Sequence, residues 1–275
     1  MRARVDASPA REVPGYRRFM PALMPRRADG LVLFDQQVRV ERTERYLAGV
    51  REAHPEIHPT ILHVVLWALA RMIDGHPHLN RFVAGGRLWQ RDGIWLSYTA
   101  KTQLDEEGVL VEIKDRFDPA LPFPEMVRRT QAHVAAARHG ERGLADRELD
   151  LFLRLPPVLR RTVVRAAAAG NALNLLPRRF VEGDPFFASA FVTNLGSVGL
   201  DAAFHHLYEY GTIPIFCTLG RIHDAPVVDD GAVVVARVAS IKFSYDERTE
   251  DGLYAGRALE DFRAMVEDPA AFEPG

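Results

Sequence analysis

The stretch Ser244-Tyr-Asp-Glu-Arg-Thr-Glu-Asp-Gly-Leu253 decides the fold, because an apolar run enters it and an amphipathic run leaves it. The entering segment, residues 232–243, is rich in Val and Ala and predicts a buried strand. The segment after Gly252 spaces its apolar residues at helical intervals and predicts an amphipathic helix. Between them, residues 246–251 hold four acids and one arginine. A corner with this density of charge must be solvated, paired or functional.

The composition is typical of a globular protein. The chain has 275 residues, 47% hydrophobic and 26% charged, with a net charge of -2. A phosphate-binding surface shows a basic excess, so this balance argues against general nucleic-acid binding. The single cysteine, Cys217, lies in an apolar run and predicts a buried, reduced thiol. Because there is no signal-like N-terminus and no apolar run long enough to span a bilayer, we expect a cytoplasmic protein.

Helical and strand patterns alternate along the chain and predict one α/β domain, a mixed sheet flanked by helices, over residues 15–275. Residues 1–14 are polar and carry two prolines, so we expect a flexible arm. The strongest helical pattern follows His58-Pro59 and should lie at the centre of the core. Strands are predicted near 87–90 and 94–102, joined by a turn at Asp92-Gly93.

A helical insertion is predicted at about 141–182. Its central part, residues 145–175, is basic, amphipathic and helical apart from Pro156-Pro157. Such a segment can lie on a membrane surface, pack against a partner helix or fold back onto its own domain. All three placements remain open, and the last is the commonest for soluble helices.

Local motifs for cofactors are missing from the sequence. There is no HExxH or CxxC spacing, no GxGxxG, no P-loop and no GxSxG elbow, so we expect no metal. The adjacent pair His205-His206 stands out as a candidate ligand or base. The simpler alternative is that both histidines are hydrogen-bonded structural residues.

Four segments follow one another in a fixed order: Thr193-Asn-Leu-Gly-Ser-Val-Gly199, Thr218-Leu-Gly-Arg221, Pro226-Val-Val228 and Ser244 to Gly252. This order resembles the C-terminal half of the catalytic domain of the dihydrolipoyl acyltransferases, the core subunits of 2-oxo acid dehydrogenase complexes. In that family the last motif is S-[FY]-D-H-R-x-x-D-G.

Three N-terminal segments resemble further motifs of the same family: Arg17-Arg18 with Met24, His76-Pro-His-Leu-Asn80, and Gly108-Val-Leu-Val-Glu-Ile113. The family counterpart of the last one is G-L-V-V-P-V. The resemblance covers roughly residues 14–140 and 186–270. The family's N-terminal lipoyl module is not expected here, since only about 14 residues precede the resemblance.

The resemblance implies a chloramphenicol acetyltransferase-like fold, with coenzyme A as the acyl carrier. It also implies a homotrimer, because family members build the active channel between adjacent subunits. Dihydrolipoyl members join trimers into cages through their C-terminal ends. In this chain the terminal apolar anchor is reduced to Phe272. The resemblance therefore does not decide whether the trimers join into a cage.

The resemblance also assigns roles to residues. In the family, a histidine takes the proton of the acceptor, a Ser or Thr stabilises the oxyanion, and an Asp–Arg pair holds the corner. By position, the oxyanion donor is Thr193 and the structural Asp is Asp251. Its arginine partner is Arg18, with Arg17 as the less favoured choice. The histidine position is occupied by Glu247.

Glu247 decides how far activity can be transferred. A free thiol and a glutamate differ by about four pKa units, or roughly 5–6 kcal/mol of unfavourable proton transfer. We therefore expect a pseudoenzyme that keeps the fold as an oligomeric scaffold or shell. The alternative is a stand-alone acyl-CoA-dependent acyltransferase in which Glu247, His205 or His206 is the base.

Overall fold

The computed structural model describes residues 3–101, 110–138 and 152–273. Within these residues one sheet consists of β2 (Leu31–Arg39), β5 (Ile94–Lys101), β6 (Leu110–Phe117), β7 (Ala190–Asn194), β8 (Ile215–Asp229) and β9 (Ala232–Asp246). Its strand order is β2-β9-β8-β7-β5-β6. A smaller antiparallel sheet consists of β1 (Ala7–Pro9), β3 (Arg81–Ala84) and β4 (Arg87–Arg91), in the order β1-β4-β3.

The helices in the same part of the chain are α1 (Gly15–Leu23), α2 (Glu41–Ala53), α3 (Ile61–Gly75), α4 (Phe123–Arg138), α5 (Pro157–Ala172), α6 (Arg178–Gly183) and α7 (Gly252–Glu267). Helix α3 is buried along most of its length, as its apolar pattern predicts. One hydrophobic cluster joins α2, α3, α4 and α7 to the large sheet. These helices therefore cover one face of that sheet.

The large sheet is mixed, which confirms the predicted architecture. Strand β7 runs parallel to both β5 and β8, whereas the other neighbours are antiparallel. Successive residues of a strand point to opposite faces. Val192 packs in the cluster under the helices, whereas Phe191 packs with Phe216 in a separate cluster on the opposite face. That second face also carries Thr193, the predicted oxyanion donor.

The two strands predicted on either side of Asp92-Gly93 are present as β4 and β5, but they do not pair with each other. Strand β4 pairs instead with β3 across Gly85-Gly86, and β5 belongs to the large sheet between β6 and β7. Both glycines of the actual turn have positive φ, at 58° and 70°. The segment at Asp92-Gly93 carries the chain from one sheet to the other.

The N-terminal residues differ from the expected flexible arm. Ala7–Pro9 forms β1 and pairs with β4, and the Ala7 side chain is buried. The Arg4 guanidinium lies 4.9 Å from the centre of the Phe82 ring. These contacts tie the segment to the small sheet.

Helix α5 belongs to the predicted insertion, whose residues 141–151 lie outside the described part. The C-terminal end of α5 folds back onto the domain, where Arg4 Nη1 donates to the Asn171 carbonyl over 3.1 Å. Its N-terminal half projects and exposes Val158 at 74%. Among the described residues, no helix combines the length and the apolar character needed to cross a membrane.

Candidate active site

The acidic corner connects β9 to α7, and a buried ion pair shapes it. Arg248 Nε and Nη2 donate to the two carboxylate oxygens of Asp246, both over 2.8 Å. Arg248 Nη1 also donates to the Met24 carbonyl over 3.2 Å. Both members of the pair are almost fully buried. Removing one partner of such a pair typically costs about 3–5 kcal/mol, so the pair makes the corner rigid.

The rest of the corner is fixed by short polar contacts. Thr249 Oγ1 donates to the Asp246 carbonyl over 2.8 Å, and Tyr245 Oη donates to the Glu250 carbonyl over 2.9 Å. Asp251 caps α7, because its Oδ1 accepts from the Tyr254 amide over 2.9 Å. The carboxylates of Asp246 and Asp251 therefore have structural roles, so only part of the charge in this stretch is available for chemistry.

Glu250 is a buried acid that the motif comparison did not single out. Its carboxylate lies 2.7 Å from His78 Nδ1, 3.3 Å from Arg81 Nη1 and 3.8 Å from Arg17 Nε. Its three partners come from distant parts of the chain, so no local pattern could have predicted the cluster. Glu250 thus ties the corner to α1 and to the segment before β3.

The arginine that meets the corner is Arg17, which corrects the assignment to Arg18. Arg17 Nη2 lies 3.9 Å from Asp251 Oδ2, and Arg17 Nη1 donates to the Glu247 carbonyl. Arg17 is buried together with Pro21, four residues later on the same face of α1. Arg18 is exposed, because one further residue rotates it out of this face.

Glu247 is half-buried and is held through its backbone. Its amide donates to the Gly30 carbonyl over 2.9 Å, while its own carbonyl accepts from Arg17. Within residues 3–101, 110–138 and 152–273, its carboxylate has no hydrogen bond or ion pair. The neighbouring Arg248 points to Asp246 instead. The backbone is therefore fixed while the side chain is left for solvent or a partner.

Thr193 lies near the end of β7, and its Oγ1 is 3.2 Å from Thr99 Oγ1 on β5. Its side chain is half-buried, so the hydroxyl is held by its neighbours and is still accessible. In register, Thr193 lies beside Thr218, which lies beside Lys242. Glu247 follows Lys242 by five residues, which is roughly 15 Å along an extended strand. One chain alone therefore keeps Thr193 and Glu247 apart.

The two loop histidines lie on the same face of the sheet as Thr193. The His205 ring stacks on Phe216 at 3.9 Å, and its Nδ1 is 2.7 Å from the His206 carbonyl. Burial lowers the pKa of His205. His206 is exposed and stacks on His205 at 4.5 Å. His205 is thus a packed structural residue, while His206 remains accessible.

Other features of the described residues lie away from this face. A cavity of about 160 Å³ lies under α5 and is lined by Arg27, Tyr210 and Arg248, but not by Thr193 or Glu247. In this part of the chain, no group of three or more His, Cys, Asp or Glu side chains is placed to hold a metal ion.

Comparisons with known proteins converge on one group. A family described as 2-oxoacid dehydrogenases acyltransferase (catalytic domain) matches residues 187–273. The dihydrolipoyllysine-residue acetyltransferase component of the pyruvate dehydrogenase complex of Bacillus subtilis (strain 168) is 34% identical over 82 residues. These residues make up 30% of this chain and 18% of the relative.

Two solved structures are similar over almost their whole length. The cubic core of the pyruvate dehydrogenase multienzyme complex has a TM-score of 0.64 at 15% identity, covering 95% of this chain and 93% of that chain. A chloramphenicol acetyltransferase has a TM-score of 0.55 at 12% identity, covering 95% and 98%. At such identities the likeness shows the fold alone.

The chain therefore has the chloramphenicol acetyltransferase-like acyltransferase fold, as its sequence predicts. Within this fold, residues 187–273 match the model of the 2-oxoacid dehydrogenases acyltransferase catalytic domain. That segment contains Thr193, both loop histidines and the corner with Glu247. The resemblance inferred from the C-terminal motifs is thereby confirmed.

Proposed function

We propose that this chain is an acyltransferase that moves an acyl group from a coenzyme A thioester to a small thiol or hydroxyl acceptor. The observation that carries this proposal is the placement of Thr193. Its hydroxyl is held beside that of Thr99 on the sheet face opposite α2, α3, α4 and α7. A fixed hydroxyl of this kind can donate to the oxyanion of a tetrahedral intermediate.

The electrostatics around Glu247 also support transfer activity. Two cations lie close to this residue in the chain or in space, and either could hold its carboxylate in an ion pair. Arg248 is occupied by Asp246, and Arg17 bonds the Glu247 backbone. The Glu247 carboxylate therefore takes no part in the ion pairs that hold the corner.

The second candidate function is an oligomeric scaffold without acyl transfer. It is favoured by the acid at position 247, because the resemblance places the catalytic histidine there. A carboxylate with an ordinary pKa accepts a thiol proton at a cost of roughly 5–6 kcal/mol. Acyl transfer thus requires a base with a raised pKa, or a contribution from His206.

We further propose a homotrimer, with a channel built between adjacent subunits. The separation of Thr193 from Glu247 within one chain supports this arrangement, because Glu247 lies two strands away and five residues beyond Lys242, which is level with Thr193. A partner subunit would have to bring the two together. The similar fold of a cubic pyruvate dehydrogenase core makes a larger cage of trimers a further option.

The experiment is a transfer assay from acetyl-CoA to dihydrolipoamide or another small thiol, with free coenzyme A as the readout. We expect turnover by the wild type. Thr193→Val should lower kcat by about 10²–10³, the range found when one oxyanion donor is lost. Thr193→Ser keeps the hydroxyl and should retain most of the rate.

The scaffold function would be supported if the folded wild type transferred no acyl group to any thiol or hydroxyl acceptor tested. Circular dichroism and an unchanged thermal midpoint would confirm that each variant is folded. Equal rates for Thr193→Val and wild type would remove Thr193 from the site.

A further inference from the structure

Glu112 is an acid on the same sheet face as Thr193. It lies directly opposite Thr99 in the antiparallel pairing of β5 with β6. Thr99 in turn contacts Thr193 through their hydroxyls, 3.2 Å apart. Directly opposed side chains lie on one face with their Cβ atoms about 4.5–5.5 Å apart. Glu112, Thr99 and Thr193 therefore lie side by side on three neighbouring strands, as one acid and two hydroxyls.

The Glu112 carboxylate is not used by the fold. It makes no hydrogen bond or ion pair with any residue in the part of the chain that the structure describes, and it reaches solvent. In the strand motif that this segment resembles, G-L-V-V-P-V, the same position is a proline. Glu112 is thus an accessible acid at a position where the family motif has no titratable side chain.

We propose that Glu112 is the general base of this acyltransferase, acting in the same subunit as Thr193. This inference rests on the proposed transfer function. The Glu112 carboxylate takes the proton of the acceptor thiol, and the sulfur attacks the carbonyl carbon of the acyl-CoA thioester. The new C–S bond forms while the Thr193 hydroxyl donates to the oxyanion. The intermediate then breaks its bond to the coenzyme A sulfur, which takes the proton back from the Glu112 carboxyl.

The spacing suits this chemistry. A base and an oxyanion donor must both lie about 3 Å from the place where the reacting group binds. Glu112 and Thr193 lie on the two strands that flank β5, so their backbones are about 10 Å apart, and a small acceptor bound over Thr99 can contact both side chains. Glu247 does not meet this requirement within one chain, because it lies two strands from Thr193 and five residues beyond Lys242, the residue level with Thr193 on β9.

The surroundings of Glu112 strengthen it as a base. Partial burial, and then the negative charge of Asp184, raise the pKa of Glu112 above that of an ordinary glutamate. Tyr208 also faces this acid, and the pKa of Tyr208 is raised by burial and then by the Glu112 charge. A raised pKa brings the Glu112 carboxyl closer to the pKa of a thiol, so proton transfer from the thiol costs less free energy.

The test compares Glu112→Gln, Glu112→Asp and the control Glu260→Gln, an exposed acid of α7 that pairs with Arg263. Acetyl transfer to dihydrolipoamide is measured from pH 5 to 9 with the full chain. Glu112→Gln should lower kcat by about 10²–10⁴, the usual contribution of a general base, and leave the KM for acetyl-CoA within about twofold. Because the base must be ionised, the ascending limb of the wild-type pH profile should vanish in this variant and persist, at a lower rate, in Glu112→Asp.

Folding is controlled by the thermal midpoint at pH 7. A raised carboxyl pKa means that the folded state favours the neutral form, so Glu112→Gln should keep or raise that midpoint. If Glu112→Gln retained both the wild-type rate and the ascending limb while Thr193→Val still lost activity, Glu112 would not be the base and the transfer function would stand. A wild type inert toward every acceptor would overturn both.

Discussion

At the scale of single residues, Glu247 marks the difference between this chain and the motif it resembles. Its backbone is fixed by Gly30 and Arg17, while its side chain has no partner among the described residues. A histidine can therefore be introduced there without breaking a described contact. The position tests the channel geometry without disturbing the corner.

We predict that Glu247→His raises the rate of acetyl transfer at pH 7 by about tenfold or more. An imidazole has a pKa near 6.5 and accepts a thiol proton at far lower cost than an ordinary carboxylate. Glu247→Gln is the matched control, because it removes the charge without adding a base. A rate for Glu247→His equal to that of the Gln variant would show that this corner does not line the acyl-transfer channel.

At the scale of elements, the first turn of α3 depends on a neutral histidine. His63 Nδ1 accepts from the Thr60 amide over 3.0 Å and lies 2.8 Å from Thr60 Oγ1, which closes a capping box. The ring is buried, and this burial lowers the pKa of His63 to about 4. The central helix of the core thus begins at a group that resists protonation.

This arrangement predicts a loss of stability in mild acid. The unfolded state takes up the His63 proton below its pKa of about 6.5, whereas the folded state does so only near pH 4. The stability contribution is therefore present above pH 6.5 and lost as pH falls towards 4, by about 3 kcal/mol. Urea unfolding across this range should show the slope in wild type and a weaker one in His63→Gln, where an amide oxygen can still accept from Thr60.

His58→Gln is the control, because its side chain is exposed and lies only five residues earlier. That variant should keep the full pH dependence. If His63→Gln and wild type lost stability in parallel between pH 6.5 and 4, another group would be responsible.

Helix α5 is held to the small sheet by a close backbone approach. Gly85 has a φ of 58°, and a Cβ placed there would lie 2.3 Å from the Ala172 carbonyl oxygen. We predict that Gly85→Ala pushes the end of α5 away and destabilises the chain. The neighbouring Gly86 has a φ of 70°, and no described atom lies within 4 Å of the place that its Cβ would take. Gly86→Ala therefore carries only the backbone cost of a positive φ.

The difference between the two variants isolates the contact with α5. Gly85→Ala should be less stable than Gly86→Ala by at least about 1 kcal/mol, and α5 should be cleaved faster by trypsin at its arginines. Equal stability and equal cleavage would mean that α5 is not anchored at this turn.

Local sequence patterns predict the helices and most strands, because apolar spacing and breaker residues determine them directly. The buried helix α3 follows from such spacing. The strands on either side of Asp92-Gly93 are predicted, but their separation into two sheets is not, because it depends on β7, which inserts beside β5 from about 90 residues further along the chain. No pattern confined to residues 87–102 contains that information.

The candidate site is predictable only where one motif carries it. Thr193 and Glu247 lie in contiguous motifs, so the sequence alone identifies them. Arg17 and Arg18 differ only in helical phase, which the motif does not specify, so the motif alone does not identify the buried Arg17 as the partner of the corner. Glu112 escapes sequence reasoning because its relation to Thr193 arises from strand register across three strands, a property of the folded sheet alone.

At the scale of the whole molecule, the long hairpin of β8 and β9 points to assembly. Strand β2 pairs with β9 only as far as Val238, and the Val40 amide donates to the Arg237 carbonyl, so residues 232–236 pair with β8 alone. This projecting ribbon exposes Val228, Val233 and Val235 at 74%, 75% and 77%. A two-stranded ribbon is marginally stable by itself, and contiguous exposed apolar residues mark interaction surfaces. We therefore expect the ribbon to pack against a neighbouring subunit.

The prediction is that the wild type sediments as a trimer and that the double variant Val233→Lys/Val235→Lys sediments as a monomer. Two charges placed in an apolar contact cannot be buried without a partner, so association should weaken by several orders of magnitude. Val158→Lys on α5 is the matched control, because this valine is as exposed, at 74%, and lies on a different element. It should leave the trimer intact. A monomeric wild type, or a double variant that still sediments as a trimer, would contradict assembly through this ribbon. If the ribbon does join the subunits, the double variant should also lose any contribution of Glu247 to transfer, since that residue can reach Thr193 only from a neighbouring chain.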